Sequence, residues 1–292
     1  MSNRDRLVLG SGLLREDALT PRLLERFHDG GGRALDLANA YGDGEAERAI
    51  GRWLAASGAE LTLYVKGCAP PRCRPELVGA EVDRARRELG RDLLDVFLLH
   101  RDDPAVPVTE FGEALLREVE RGSIRGFGVS NWTLERFQAL RAELGSESRH
   151  LVAFSNHFSL AEMVRPAWPG CLAMGKSDIA VLVGVGVSPL AWASLATGYF
   201  AGQHCPAWTS EENARRRERA RQLAQEKGTT PTAVALAYVL EQPGEVLAVV
   251  GTRSEAHLAD LLTAATLELT PEELAWLERG SDPGPRTSSR LA

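Results

Sequence analysis

The sequence has no strong excess of either charge, no long apolar run, no metal-ligand pattern and no dinucleotide fingerprint. Each absence excludes a class of function. Net charge is −6, from 40 acidic against 34 basic residues, so little drives the counterion release that holds a protein on nucleic acid. The local basic run Arg215, Arg216, Arg217, Arg219 and Arg221 is diluted by Glu211, Glu212 and Glu218 and reads as a solvated helix face. No stretch approaches the ~18 apolar residues of a membrane helix. The longest, Ile179 to Trp192, is broken by Gly184, Gly186, Ser188 and Pro189. The opening MSNRDRLVLGSG does not have the shape of a signal peptide, so a cytoplasmic protein with no membrane partner is expected. Cys68, Cys73, Cys171 and Cys205 include no second ligand pair at zinc spacing and read as free thiols. Neither His-x-His nor His-Glu-x-x-His occurs among the six histidines, so no metal is expected.

What is present is an alternation. Short apolar runs at 7–12, 33–38, 61–67, 95–100, 126–131, 151–156, 187–193 and 246–252 read as eight strands. Amphipathic helical patterns lie between them. Thr20-Pro21 reads as an N-cap and first helical position. GEAERAIGRWL places Ala46, Ile50 and Trp53 or Leu54 on one face, and PTAVALAYVLEQ is apolar on more than one face and should pack deeply. IAVLVGVG, with its glycines and β-branched residues, reads as a poor helix in an irregular seventh unit. Eight strands alternating with helices suggest an α/β fold of the (β/α)8 TIM-barrel type. An open nucleotide-binding sheet needs G-x-G-x-x-G after a strand; GVGVSP (184–189) is the nearest stretch and fails at its last position. No linker interrupts the alternation, so a single barrel domain is expected over 1–280, with a disordered tail at 281–292.

Barrel chemistry sits where strands end. Strand two ends near Asp36, with Tyr41 in the loop beyond; strand three ends in Lys66, strand four in His100, and strand five in Ser130 and Asn131. Each alone has an ordinary explanation: a turn cap, a packing aromatic, a lysine leaving for solvent, a satisfied core histidine. Together they are one set from consecutive strand ends on one face.

That set resembles the aldo-keto reductases, and the resemblance runs over almost the whole chain. LDLANAYGDGEAERAIG, LYVKG, LLDVFLLHRDDP, GSIRGFGVSNW, LAWASLATGYF and VVGTRSEAHLADLL are similar, in order, to six segments of that family. The resemblance implies a bacterial NADP-dependent enzyme with a catalytic tetrad of Asp36, Tyr41, Lys66 and His100, transferring hydride to an aldehyde or ketone. The residue types suit that reaction. Carbonyl reduction develops an alkoxide that needs a positioned acid. An adjacent ammonium lowers the pKa of a tyrosine, so Lys66 is expected to tune Tyr41 while Asp36 holds Lys66. His100 is expected to donate to the carbonyl oxygen.

The resemblance also implies a cofactor path. Ser130 and Asn131 are expected at the nicotinamide carboxamide. A family glutamine on strand six is replaced by Ser155, so either Asn156 substitutes for it or that bond is lost. Trp192 is expected to stack on the nicotinamide, and Gly12 to let the cofactor approach, with Leu13 beside it. Leu195 and Thr197 are expected along the pyrophosphate path, and Ala193 and Ser194 among the cofactor-binding residues. Gly251, Thr252, Arg253 and Ser254 open the last barrel helix, where free amides bind phosphate. Arg253 is expected to pair with a 2′-phosphate, which favours NADP(H) over NAD(H). His257 stands where the family often has arginine, Leu261 where it has asparagine, and Asp260 matches an acidic position. Leu14, Arg101, Trp132 and Phe200, with the AWPGC segment (167–171), are expected to shape the pocket for a small-molecule carbonyl. The alternative function is a nucleotide-binding regulatory subunit of the same fold, with little turnover.

Overall fold

The computed structural model describes residues 3–280, so the tail expected to be disordered at 281–292 lies outside the described residues. Eight parallel strands close into a barrel in sequence order. They are β1 (Leu7–Gly10), β2 (Ala34–Ala38), β3 (Thr62–Gly67), β4 (Leu94–Leu99), β5 (Ile124–Ser130), β6 (Leu151–Ser155), β7 (Ser188–Ala191) and β8 (Leu247–Val250). All eight expected strands are present, so the expected barrel is the observed fold. The helices that bear on the site are α1 (Leu19–Asp29), α2 (Glu45–Ser57), α3 (Val78–Leu89), α4 (Val108–Glu120), α5 (Leu134–Leu144), α6 (Lys176–Gly184), α7 (Glu211–Glu226), α8 (Pro231–Leu240) and α9 (Glu255–Ala264).

Strand parity positions the chemistry. Side chains along a strand alternate faces. Leu9, Leu35, Leu37, Val65, Phe97, Leu99, Val129 and Phe154 point outward into the large core shared with the helices. Val8, Ala34, Leu98, Ala153, Leu190 and Val249 form a separate apolar cluster inside the barrel. Two residues further along each of those strands, on the same inward face, come Gly10, Asp36, His100, Ser155, Trp192 and Gly251. By the same parity Lys66 follows the inward Tyr64. Register completes the arrangement: Gly10 pairs with Asp36, Ala38 with Lys66, Lys66 with Leu98, and Ser130 with Ser155. A ring of mostly polar residues therefore caps an apolar plug at the C-terminal mouth.

Between Phe127 and Gly128 the β5–β6 register shifts. A Cβ on Gly128 would lie 2.4 Å from the Ala153 carbonyl oxygen, so only glycine admits this approach. After β2, Gly42, Asp43 and Gly44 all take positive φ, at 60°, 51° and 80°. That left-handed run turns the chain sharply from Tyr41 into α2.

Several local expectations are corrected. Thr20 does not cap α1, because Asp17 Oδ1 accepts the Leu19 and Thr20 amides at 3.1 Å and lets the helix begin at Leu19. IAVLVGVG is largely helical after all: α6 runs to Gly184 because Asp178 secures its first turn through the Gly175 amide, and Ile179 and Leu182 are buried. On α2 the buried stripe is Ala46, Ile50 and Leu54, leaving Trp53 at the edge. α8 is buried from Ala233 to Leu240, matching its all-round apolar pattern. On α7, Arg215, Arg216, Arg219 and Arg221 pair with carboxylates and Arg217 lies over the Tyr199 ring, so the basic run is neutralised locally.

Candidate active site

The mouth of the barrel opens into a cavity of about 580 Å³. Such a volume is ordinary for a small-molecule site. Asp36, Tyr41, Lys66 and His100 all line it, at its inner end. Lys66 Nζ donates to both carboxylate oxygens of Asp36, at 2.5 and 2.6 Å. The residues are 3% and 2% exposed, so this is a deeply buried ion pair. Burial works against the Lys66 charge, but the Asp36 carboxylate overcomes it and holds the ammonium above its ordinary range. The Tyr41 ring stands perpendicular to His100, with centroids 5.9 Å apart.

Tyr41 departs from one expectation. Burial raises its pKa, and although Lys66 pulls downward, the net direction is up. The phenol is thus held firmly protonated, and the ammonium moderates a cost that burial imposes. His100 is pushed well below 6.5 by burial and by the Lys66 and Arg101 charges, so it is neutral. Its main-chain amide is fixed on the Gly67 carbonyl at 2.8 Å, and its Nδ1 has no protein partner among the described residues.

Gly12, Leu13, Arg101, Ser130, Asn131, Trp192, Ala193, Leu195, Thr197, Gly251 and His257 also line the cavity. The Asn131 amide is largely committed elsewhere. Its Nδ2 donates to the His100 carbonyl (3.3 Å) and Ser130 Oγ (3.0 Å), and its Oδ1 accepts the Leu172 amide (3.1 Å). Asn131 therefore orients Ser130, whose hydroxyl hydrogen is left to donate. Ser155 lies inside the barrel below the lining, its Oγ without a partner among the described residues. Asn156 does not stand in for it, because its Nδ2 turns away to the Trp132 carbonyl at 2.9 Å. Ser194 is buried and donates to the Val249 carbonyl at 2.7 Å, so it braces β8 from behind the cavity wall.

Three expected pocket residues do not reach the cavity. Trp132 turns into the core, where its indole donates to the Arg101 carbonyl at 3.2 Å, Phe111 meets its edge and Arg136 covers its face. Phe200 is buried edge-on against Tyr199. Leu14 falls into the α1–β1 core because the 3-10 turn Ser11–Leu13 exposes Leu13 instead. Trp168 and Cys171, from the 167–171 segment expected at the pocket, do line the cavity. Trp168 is 53% exposed and its ring lies 5.9 Å from that of Trp192.

Trp192 is held by a residue that sequence pattern does not single out. His157 packs against it with centroids 5.1 Å apart. Its Nε2 accepts the Trp208 indole N–H at 2.9 Å, which leaves the proton on Nδ1 to bond the Trp192 carbonyl at 3.2 Å. Burial lowers its pKa to about 4, so the ring stays neutral and the brace is intact at neutral pH. A lone His in FSNHFS carries no signal of this; the contact is made only by the loop returning beside β7.

At the outer end, Ser254 Oγ caps α9 by accepting the His257 amide at 3.2 Å, and Thr252 Oγ1 accepts the Ser254 amide at 3.0 Å. Arg253 crosses to the other wall, donating to the Leu13 carbonyl (3.3 Å) and Asp17 (2.5 Å). Arg253 in turn holds the Asp17 carboxyl below its ordinary range. Thr252, Arg253 and Ser254 adjoin this end through their contacts with Leu13 and His257, and neither they nor Asp260 form the cavity wall. Among the described residues no cluster of His, Cys, Asp or Glu is arranged to hold a metal, and no helix is long and apolar enough to cross a membrane.

The chain has known relatives. The family model described as Aldo/keto reductase family matches residues 7–281. A 6-dehydroglucose reductase of Agrobacterium fabrum is 27% identical over 84% of this chain and 80% of its own length. A norsolorinic acid reductase of Aspergillus flavus is 27% identical over 89% of this chain and 70% of its own. The crystal structure of an aldo/keto reductase from Klebsiella pneumoniae, in complex with NADP and acetate, superposes with a TM-score of 0.74 at 25% identity, covering 96% of this chain and 92% of that one.

Proposed function

We propose, from the premise that this chain belongs to the aldo/keto reductase family, that it is an NADP(H)-dependent reductase of aldehydes or ketones with Tyr41 as its proton donor. The observation that carries the reading is the buried Asp36–Lys66 pair, set beside a protonated Tyr41 and a neutral His100. A buried ion pair adds little to the stability of a fold. Its placement in the cavity is explained by a proton donor whose anion needs a permanent positive neighbour.

The cavity suits a nicotinamide cofactor on its own features. It runs from the tetrad past Trp192, whose buried indole N–H lacks a partner among the described residues, to Gly251 and His257. When bound, the cofactor supplies the hydride and the protein supplies geometry and field. Ser130 would orient the carboxamide, Trp192 would offer its face to the ring, and the 251–257 segment would meet the phosphates. Arg253, on giving up Asp17, is the cation available to a 2′-phosphate. The NADP bound by the Klebsiella relative supports the same choice for this chain.

The residues then act in a definite order. His100 donates to the carbonyl oxygen and aligns it. As negative charge grows on that oxygen, Tyr41 releases its phenolic proton. Lys66 stabilises the resulting phenolate, and Asp36 keeps Lys66 charged and directed.

The test is a panel of neutral aldehydes and ketones assayed with NADPH and NADH, alongside quenching of tryptophan fluorescence by each cofactor. Turnover with NADPH ahead of NADH is expected. Quenching without turnover of any carbonyl would favour a regulatory nucleotide-binding protein instead.

A pH profile follows from the same groups. His100 is already neutral at pH 6.5 and Tyr41 stays protonated past pH 10.0, because burial moves each away from its charged form. The rate of reduction of a neutral aldehyde is therefore expected to be level between those values. An acid limb centred near 6.5 would contradict the assignment of His100 as a buried neutral donor.

A further inference from the structure

The cavity holds one charge that the tetrad does not need. Of the ionisable groups lining it, the carboxylate is Asp36, which is committed to Lys66. His100 is neutral and Tyr41 is protonated. With His257 away from the tetrad at the outer end and Cys171 present as a free thiol, Arg101 is the guanidinium left over beside the tetrad. It follows His100 directly, and among the described residues no carboxylate pairs with it. This half-buried guanidinium lines a largely apolar cavity that Trp168 and Trp192 also line, and an anionic group on a ligand would find in it a charge-assisted partner that no described carboxylate occupies.

The side chain is also fixed in place. Nη1 donates to the His100 carbonyl at 2.8 Å, Nε to the Pro169 carbonyl at 3.4 Å, and Nη2 lies 3.6 Å from Cys171 Sγ. Gly170, at φ +72°, lets the 167–171 segment fold onto it; a Cβ there would lie 3.4 Å from Arg101 Cδ. A guanidinium has five N–H donors, and those contacts use three. The others, one on each terminal nitrogen, are left on a side chain that lines the cavity. A role as a loop latch alone would account for the donors in use. It does not account for the absent carboxylate or for a cation held beside the reacting groups.

We propose that Arg101 is the specificity-determining residue of the substrate site, and that the substrate is an aldehyde or ketone bearing a carboxylate a few bonds from its reducible carbon. This rests on the carbonyl-reductase reading above. In the reaction the carbonyl carbon gains the nicotinamide hydride and its oxygen gains the Tyr41 proton, giving a hydroxy acid. The carboxylate is unchanged and stays on Arg101. Trp168 and Trp192 flank the space between and suit a flat or aromatic body.

The test uses full-length protein and a matched pair, 4-carboxybenzaldehyde and the neutral 4-nitrobenzaldehyde, with NADPH. The wild type is expected to favour the carboxylate in kcat/KM, mainly through KM. In Arg101→Gln, which keeps donors for the loop, the carboxylate-to-nitro ratio should fall about 10- to 100-fold, the effect of losing a charge-assisted hydrogen bond. Arg101→Lys, which keeps the charge and loses the fork, should recover part of the ratio. A second readout does not depend on turnover: 4-(hydroxymethyl)benzoate should quench the tryptophan fluorescence of the cofactor-loaded wild type and bind about 10-fold or more weakly to Arg101→Gln. A ratio and a benzoate affinity that do not move in Arg101→Gln overturn the proposal. Weakened benzoate binding without turnover of either aldehyde by the wild type would instead leave the anion site standing and overturn the reductase reading.

Discussion

Lys66→Met is expected to lose both stability and turnover, and the two losses should separate in a second variant. The substitution leaves the Asp36 carboxylate buried with no partner, since Lys66 supplies both of its hydrogen bonds. Breaking a buried pair in this way costs about 3–5 kcal/mol. For a chain of this size that is a fall in melting temperature of roughly 10 °C. Turnover should fall with it, because Tyr41 no longer has a neighbouring charge to stabilise its phenolate. In Asp36→Leu/Lys66→Met both ends of the pair become apolar, in a barrel interior that already holds Val8, Ala34 and Leu98. Stability should then recover most of the loss, while activity should not return. Thermal melts and NADPH oxidation on the three proteins check this. Recovered activity in the double variant would show that the pair is structural, as would unchanged turnover in Lys66→Met.

Tyr41→Phe should do the opposite: leave the fold alone and remove the chemistry. Among the described residues no protein group hydrogen-bonds the Tyr41 hydroxyl, and the ring keeps its contact with His100. Melting temperature and NADPH affinity should therefore stay close to wild type. Loss of a positioned general acid lowers turnover by about 100- to 10,000-fold. Both variants probe the same assignment, but only Lys66→Met carries a folding penalty. Agreement between them separates catalysis from stability.

Much of this arrangement is legible in the chain itself. Strand parity needs only alternation, and Asp36, Lys66 and His100 stand at the ends of apolar runs whose inward face continues to them. That is why three residues far apart in sequence read as one set, and the barrel brings them to one cavity. The failures share a cause. Trp132 lies two residues past β5, Leu14 one residue past a 3-10 turn and Phe200 inside another, Ala196–Ala201, where a turn, and not a two-residue period, decides which way a side chain faces. A 3-10 turn sends Leu13 outward and Leu14 inward. The Arg101 carbonyl draws the Trp132 indole into the core. The partners of Arg253 and Trp192 are equally hidden. Asp17 and His157 reach them from the segment after a neighbouring strand, β1 beside β8 and β6 beside β7, over sequence separations that local pattern does not register. Propensity underrates α6 because it counts the glycines and β-branched residues without the Asp178 cap and the buried Ile179 and Leu182 that outweigh them.

The central claim is that Tyr41 delivers the proton as hydride reaches the carbonyl. Its most direct test is a single-turnover experiment. Wild type and Tyr41→Phe are each saturated with NADPH, mixed rapidly with a neutral aldehyde, and followed by loss of reduced-nicotinamide absorbance. The account predicts equal cofactor occupancy and a rate about 100-fold or more slower in the variant. Equal rates in the two proteins would contradict it.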